Sequence, residues 1–233
     1  MDLPLQRAKK KPPQNTADAC WVFDLDNTLY PEECNLFGHI DMKMGDYISA
    51  LLNVDRVEAK KVQKDYFVRF GTTLRGLIDV HGVDPEEFLN FVHDIDLSAL
   101  TEDKELGRAL KKLKGRKIVF TNGDIPYAER VLKKIGIRDE FEGIFDIARA
   151  RYLPKPHAET YRVFVDHFEV DPGAAVMVED MARNLIPAAR MGMTTVWVKT
   201  RDAWGSVGHD AAHIHFETDN LVHWLNARAE GGP

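Results

Sequence analysis

The segment FDLDNTLYPEE, residues 23–33, decides the fold that this sequence predicts. It overlaps the apolar run CWVFDL, which is rich in residues that favour strands, and it carries two acids, Asp24 and Asp26. Side chains two positions apart on a strand point to the same side, so the two charges would crowd together. Like charges at such a distance raise each other's pKa unless a cation or a proton lies between them. The segment therefore indicates a strand that ends at a site for a cation or a shared proton.

Four further apolar runs follow the pattern of the first, and helical patterns separate them. The runs lie at 117–124, 143–148, 174–180 and 193–199, and the helical patterns lie at 103–115, 126–136, 157–168 and 181–192. Several helical patterns end at glycine, which commonly terminates helices. Strands that alternate with helices indicate βαβ units. We therefore expect an α/β fold, a Rossmann-like parallel sheet with helices on both faces.

One long interval interrupts this alternation. Between residues 34 and 96 the patterns are helical and no convincing strand occurs. A helix start is clear at residues 84–87, DPEE, where an Asp at the N-cap precedes a Pro at the first helical position. A helical block between the first two strands predicts an inserted cap. The expected organisation is a disordered tail at 1–18, an α/β core at 19–33 and 97–228, and a helical cap at 34–96.

Composition and charge narrow the class of protein. The 233 residues are 44% hydrophobic and 29% charged, which is ordinary for a soluble globular protein, and the net charge is −6. An acidic chain argues against nucleic-acid binding, which usually requires a basic surface. No run approaches the roughly 20 apolar residues of a membrane span, and the basic N-terminus lacks the apolar segment of a secretory signal. With only two cysteines, Cys20 and Cys34, we expect reduced thiols and a cytoplasmic location.

Polar residues at the predicted strand ends define a candidate site. In open α/β sheets, ligands bind beyond the carboxyl ends of the strands, so these residues converge although they are distant in sequence. A cluster of acids is unstable alone and favours a hard cation such as Mg²⁺, whose shell a phosphate would complete. The convergent residues are Asp24 and Asp26, then Thr121, Asn122 and Gly123, then Glu179 and Asp180, with Lys155 in a loop that two prolines hold extended.

This set of residues predicts phosphoryl transfer through a covalent intermediate. A carboxylate fixed beside Mg²⁺ can attack phosphorus and form an aspartyl phosphate. The second carboxylate, two residues further on, can protonate the leaving oxygen and later accept a proton from water. Lys155 and Thr121 would stabilise the charge on the transferring phosphoryl group.

The motifs DLDNT, TNG, KP and VEDMARN, in that order, resemble the four motifs of the haloacid dehalogenase (HAD) superfamily of phosphohydrolases. The resemblance implies that Asp24 is the nucleophile and Asp26 the general acid and base. It implies that the phosphoryl group is bound by Thr121, Lys155 and the neighbouring Asn122. Mg²⁺ would be bound by the carboxylates of Asp24 and Asp180 and by the backbone carbonyl of Asp26, while Glu179 would hold a metal-bound water. Asn184, four residues after Asp180, suits either a role in orienting the acidic loop or an ordinary role at a helix start.

The position of the cap and the acid at position 26 refine this resemblance. About 90 residues separate the first two motifs, as in the subgroup of the superfamily that has a helical cap there. The dehalogenases of the superfamily lack an acid at the position of Asp26, which favours a phosphatase. The cap sequence YFVRFGTTLRGLIDVHGVDPEEFLNFVHDIDLS resembles that of pyrimidine 5′-nucleotidases, which implies nucleoside monophosphates such as UMP and CMP as substrates.

Substrate specificity is expected to reside in the cap. Thr72, Thr73 and Arg75 suit the hydrogen-bonding edge of a pyrimidine or a ribose. Two other interpretations stay open at this stage, because Thr72 equally suits the N-cap of a helix and Arg75 equally suits a solvated surface.

Alternatives to a nucleotidase remain at the level of sequence. The same four motifs would serve a phosphatase or phosphomutase that acts on a sugar phosphate or another small phosphate ester. A non-catalytic regulator on this fold would be expected to lose Asp24, Asp26 or Lys155, and all three are present. We expect a small-molecule phosphate ester as the partner of the site, and a chain that is a monomer or a homodimer.

Overall fold

The described chain forms a six-stranded parallel sheet. A computed structural model describes residues 15–201, 205–210 and 212–230. The strand order is β3-β2-β1-β4-β5-β6, which confirms the predicted Rossmann-like α/β class. The strands are β1 Cys20–Phe23, β2 Arg116–Phe120, β3 Gly143–Phe145, β4 Ala175–Glu179, β5 Thr194–Val198 and β6 Phe216–Thr218.

Nine α-helices occur in the described residues, and several begin at an acidic cap. Asp55, Asp84, Asp103 and Asp124 each accept backbone N–H groups of the first turn, which compensates donors that have no partner inside the helix. The helices are α1 Leu36–Leu52, α2 Arg56–Phe70, α3 Thr73–His81, α4 Pro85–His93, α5 Lys104–Lys112, α6 Ile125–Lys134, α7 Ala158–Phe168, α8 Leu185–Arg190 and α9 Leu221–Ala229.

Strand β1 lies at the centre of the sheet and is buried on both faces. Its side chains alternate, so Trp21 and Phe23 contribute to one hydrophobic core while Cys20 and Val22 contribute to the other. All four side chains are at most 4% exposed. Burial on both sides explains why this strand has an apolar residue at every position and no polar alternation.

Helices α1 to α4 lie between β1 and α5, within the interval 34–96 for which the sequence predicts a cap, and they are called the cap below. Their apolar faces, with Leu36, Ile48, Leu77 and Phe88, belong to the same hydrophobic cluster as one face of the sheet. The cap therefore packs on the carboxyl side of the core as a continuous structure. Among the described residues, no helix has the length and apolar character needed to cross a membrane.

The structure differs from the sequence patterns in several places. Strand β6 was not predicted, because it has only three residues and is defined by its parallel pairing with β5. The helical pattern at 103–115 ends earlier, at Lys112, because the backbone is already extended at Leu113. The pattern at 181–192 begins as a 3-10 turn, and its α-helix is only six residues long.

The N-terminal tail falls mostly outside the described residues, which begin at residue 15. Asn15 donates a side-chain hydrogen bond to the carbonyl of Lys112, 3.1 Å away, and accepts one from the N–H of Lys114. The described chain is thus attached to the core from its first residue.

Candidate active site

The register of the central strands aligns Asp24, Phe120 and Glu179 side by side where the three strands end. Phe23, the last residue of β1, pairs with Val119 of β2 and Val178 of β4. The next residue in each strand is therefore Asp24, Phe120 and Glu179, and the N–H of Asp24 continues the ladder to the carbonyl of Val178 at 2.9 Å. The topology reverses between β1 and β4, which is where open α/β sheets bind ligands.

Lys155 joins these residues from the loop after β3. Its Nζ donates to Asp24 Oδ1 at 2.6 Å, to Glu179 Oε1 at 2.8 Å and to the Phe120 carbonyl at 2.8 Å. The side chain is 1% exposed, so the ammonium has exchanged water for these three acceptors. Burial acts to lower the pKa of Lys155, but the charges of Asp24 and Glu179 outweigh burial and raise it. The lysine is therefore a fixed positive charge beside the predicted nucleophile.

Asn122 holds the Lys155 loop in place. Its Oδ1 accepts the backbone N–H of Lys155 at 2.8 Å, and its Nδ2 donates to the Lys155 carbonyl at 3.4 Å. Thr121 is 1% exposed, and its Oγ1 accepts the N–H of Gly123 at 2.9 Å. The structure thus brings Asn122 and Lys155 together, while the predicted phosphate contact of Thr121 stays a prediction.

Three buried acids lie close enough to share a cation. One carboxylate oxygen from each of Asp24, Glu179 and Asp180 lies within 4.8 Å of the others. Burial and the charge of Glu179 raise the pKa of Asp24 to about 8, against the opposing charge of Lys155, and the same two causes raise that of Asp180. Burial acts to raise the pKa of Glu179 too, but Lys155 and hydrogen-bond donors outweigh it and lower that pKa. Two of the three carboxylates thus resist ionisation unless more positive charge arrives.

The donor set fits a hard divalent cation. Glu179 already binds Lys155 and Asn184 Nδ2 through Oε1, and the N–H of Met181 through Oε2 at 2.7 Å. Its lone pairs are therefore largely used, which leaves Asp24 and Asp180 as the freer oxygen ligands. Asn184 Oδ1 is buried and has no hydrogen-bond partner, as expected of an acceptor for a water bound to a cation. The carboxylate of Asp26 is not part of this group; its predicted ligand atom is the backbone carbonyl.

Asp26 is held by two tyrosines. Its Oδ1 accepts from Tyr30 Oη at 2.5 Å and from Tyr127 Oη at 2.8 Å, and the two hydroxyls are 3.3 Å apart. Asn27, the next residue, has a φ of +58°, so the chain turns sharply away from the strand here. The carboxylate of Asp26 is not among the partners of Lys155, and Asp26 lines the cavity described below.

Tyr127 also takes part in a contact between the core and the cap. The ring of His93, at the end of α4, stacks on Tyr127 with 4.4 Å between the ring centroids. His93 Nδ1 lies 3.1 Å from Asp124 Oδ2, and Asp124 also caps α6 by accepting the N–H of Tyr127. Arg130 of α6 donates to the His93 carbonyl at 3.1 Å. The helix after the second motif thus positions both Tyr127 and the last cap helix.

A cavity of about 630 Å³ separates the core from the cap, which is within the range of small-molecule sites. Its core wall includes Asp24, Asp26, Asn122, Lys155, Asp180 and Arg183, and its cap wall includes Phe37, Asp41, Lys60, Gln63, Phe67 and Thr72. Charged groups therefore lie on both walls, and the cap wall adds aromatic rings.

The cap residues predicted to set specificity have different positions. Thr72 and Thr73 line the cavity, but Thr72 caps α3 by accepting the N–H of Arg75 at 3.1 Å, and Thr73 Oγ1 donates to the Gln63 carbonyl at 3.4 Å. Arg75 does not line the cavity, and its Nε donates to Asp79 Oδ2 at 2.9 Å. The alternative interpretations left open by the sequence therefore describe the contacts of Thr72 and Arg75, and a role in specificity stays a prediction for all three.

Sequence reasoning missed several residues of the site. Tyr30 lies inside the segment FDLDNTLYPEE and Arg183 inside the fourth motif, but the sequence patterns predicted no role for either residue. Tyr127 and Gln63 carry no motif, and only the packing of α6 and α2 brings Tyr127 to Asp26 and Gln63 to the cavity.

Known proteins are similar to this chain over most of its length. Phosphate metabolism protein 8 of Saccharomyces cerevisiae is 26% identical over 229 residues, which covers 91% of this chain and 68% of that protein. The HAD phosphatase from Thermococcus onnurineus superposes with a TM-score of 0.61 at 21% identity, over 92% of this chain and 98% of that one. The L-2-haloacid dehalogenase from Xanthobacter autotrophicus gives 0.53 at 15% identity, over 91% and 96%. At these identities the two structures show the fold alone.

The fold is of the α/β class, and its candidate site joins a cluster of buried acids to Lys155 at the carboxyl ends of the strands. The model of one family, described as haloacid dehalogenase-like hydrolase, matches residues 20–192, from β1 to just before β5. The chain belongs to this family.

Proposed function

We propose that the chain is a Mg²⁺-dependent phosphomonoesterase that hydrolyses nucleoside 5′-monophosphates, of the UMP and CMP type, through an aspartyl phosphate on Asp24. One observation carries the proposal: a second carboxylate, Asp26, lines the same cavity as Asp24 and is oriented by two tyrosine hydroxyls. A hydrolase that displaces halide needs no proton donor for its leaving group, whereas an alcohol leaving from phosphorus does.

The residues of the chain divide the reaction between them. Lys155 binds one oxygen of Asp24, so the other oxygen is the one that can attack phosphorus. As the P–O bond to the leaving group breaks, Asp26 transfers a proton to the departing oxygen. Asp26 then accepts a proton from the water that attacks the phosphorus of the aspartyl phosphate, which releases inorganic phosphate and restores Asp24. Lys155, with Thr121 and Asn122, offsets the charge of the phosphoryl group throughout.

A divalent cation fits the acidic cluster beside these residues. Mg²⁺ would be held by the carboxylates of Asp24 and Asp180 and by the backbone carbonyl of Asp26, and it would neutralise phosphoryl charge during the transfer. Glu179 and Asn184, which bond to one another at 2.6 Å, would orient waters of its shell.

The cap wall supports a nucleotide as substrate. Phe37 and Phe67 offer flat apolar surface, while Asp41, Gln63 and Thr72 offer hydrogen-bonding groups in the same cavity. A base needs both, because its faces are apolar and its edges are polar. The name of the yeast relative refers to phosphate metabolism, which is consistent with this class of substrate.

The test is phosphate release from a panel of UMP, CMP, purine monophosphates and sugar phosphates, first with Mg²⁺ and then with EDTA. We expect preferential hydrolysis of UMP or CMP that EDTA abolishes. Mg²⁺-dependent release from sugar phosphates alone would retain the phosphatase mechanism and exclude the nucleotide assignment. Release that needs an added sugar bisphosphate would indicate a phosphomutase.

A further inference from the structure

Arg183 lies between the proposed catalytic residues and the cap. It lies three residues after Asp180, in the 3-10 turn Ala182–Asn184, and it lines the same cavity as Asp24 and Lys155. The turn is fixed by two backbone hydrogen bonds, from Ala182 N–H to the Gly205 carbonyl and from Asn184 N–H to the Met181 carbonyl, both at 2.9 Å. The guanidinium therefore projects from a rigid part of the core.

The contacts of Arg183 with the protein leave much of its hydrogen-bonding capacity unused. Its Cζ lies 4.3 Å from the centroid of the Phe67 ring in α2, which is a cation–π contact between core and cap. Its Nη2 reaches the Gly71 carbonyl only at 3.5 Å, and its Nε is buried with no hydrogen-bond partner. Within the described ranges, no carboxylate forms an ion pair with it. A buried guanidinium is unfavourable unless acceptors compensate its five donors.

Arg228 is a second arginine with unpartnered donors, and it serves as a comparison for Arg183. Arg228 is buried whereas Arg183 is half-buried, the Cζ of Arg228 lies 5.5 Å from the Trp224 ring, and its Nε and Nη1 have no hydrogen-bond partner. Yet Arg228 is not among the residues that line the cavity. Unused donors therefore do not identify a binding site by themselves. Arg183 differs because it faces the space that a substrate attached at Asp24 must occupy.

We propose that Arg183 is a specificity-determining residue whose guanidinium donates hydrogen bonds to an oxygen of the leaving group, either a ribose hydroxyl or a base carbonyl of the nucleoside. This inference rests on the proposed function. Phe67 fixes the plane of the guanidinium, so its donors are presented in a fixed fork and little rotational freedom is lost on binding. The proposed function already assigns Lys155, which bonds to Asp24, as the cationic partner of the phosphoryl group.

The experiment compares Arg183→Met and Arg183→Lys with the wild-type enzyme on three substrates. UMP carries a base and a ribose, ribose 5-phosphate carries only the sugar, and phenyl phosphate has no oxygen beyond the phosphate ester. We expect Arg183→Met to lower kcat/KM for UMP by about 10- to 100-fold, mainly through KM, and to leave phenyl phosphate unchanged within about threefold. Arg183→Lys keeps the charge with fewer donors, so its loss on UMP should be smaller.

The ribose 5-phosphate result identifies the contacted group. A loss equal to that on UMP places the acceptor on the ribose, whereas no loss places it on the base. The matched control is Arg228→Met, which removes another arginine that lies over an aromatic ring and has unpartnered donors, but outside the cavity. We expect this control to lower the melting temperature without changing the ratio of UMP to phenyl phosphate activity.

Three results would overturn the inference. An equal loss on all three substrates would mean that Arg183 acts on the phosphoryl group or closes the cap. No loss on UMP, in an enzyme that prefers UMP, would refute the role of Arg183 and leave the proposed function standing. A wild-type enzyme that hydrolyses phenyl phosphate but neither UMP nor CMP would refute the proposed function, and the inference with it.

Discussion

Replacing Lys155 with methionine should destabilise the protein strongly, and most strongly at high pH. The substitution removes three donors from two buried carboxylates and a backbone carbonyl at 2.6–2.8 Å, with little change in volume. Removing one partner of a buried ion pair costs about 3–5 kcal/mol of unfolding free energy. For a chain of this length, 1 kcal/mol corresponds to about 2–4 °C, so the melting temperature should fall by roughly 6–20 °C.

The pH dependence of this loss follows from the carboxylates left behind. Without Lys155, the pKa values of Asp24 and Glu179 are raised above those of the unfolded chain, so the folded variant binds more protons than the unfolded one. Its stability must then fall as the pH rises above the unfolded pKa values, which are near 4. Thermal melts in EDTA should therefore show a larger deficit at about pH 8 than at about pH 5.5.

Two further variants make the measurement decisive. Lys111→Met removes a surface ion pair with Glu140 at 3.6 Å and should shift the melting temperature by no more than about 2 °C. Adding Asp24→Asn to Lys155→Met removes one uncompensated charge and should restore part of the stability. A Lys155→Met protein that melts within about 2 °C of wild type at high pH would refute the electrostatic account of the cluster.

The remaining predictions concern proton transfer and the cation. Asp26→Asn should slow turnover severely while the fold is retained, since the carboxyl group that exchanges protons is lost; undiminished kcat would contradict its role. Tyr127→Phe removes one of the two hydroxyls on Asp26 and should lower kcat by about 3- to 30-fold, less than Asp26→Asn, with melting curves as the check on folding. Mg²⁺ should raise the melting temperature more at about pH 8 than at about pH 5.5. The reason is that the pKa of Asp24 is raised, so protons compete with the cation in this range. Asp180→Asn should abolish the effect of Mg²⁺. An equal Mg²⁺ effect in Asp180→Asn would exclude Asp180 as a ligand.

The core of the fold was predictable because its strands end in polar residues. The apolar run before Asp24 has a counterpart before Thr121 and another before Glu179, and parallel pairing brings these ends to one edge. Strand β6 was not predictable in the same way, since its three residues become a strand only by pairing with β5. Short edge strands depend on a neighbour that local sequence does not reveal.

In the candidate site, too, some residues could be predicted from the sequence and others could not. The acids and Lys155 could be proposed because each belongs to a motif at a strand end or in an adjoining loop. The bond from Tyr127 to Asp26 joins residues 101 positions apart, and the stacking of Arg183 on Phe67 joins the core to the cap. Such contacts depend on how helices pack, which a residue pattern along one chain does not encode. The ion pair of Arg75 with Asp79 is different, because it joins residues one helical turn apart and such spacing is visible in the sequence.

The central claim is that Asp24 carries the phosphoryl group during turnover. The most direct measurement is a rapid acid quench of wild-type and Asp24→Asn enzyme with Mg²⁺ and a substrate labelled in its phosphoryl group, followed by mass spectrometry of the peptides. We expect the label on the peptide that contains Asp24 in the wild type and no label in the variant. Turnover without a covalent label in the wild type, or a label that persists in Asp24→Asn, would contradict the mechanism.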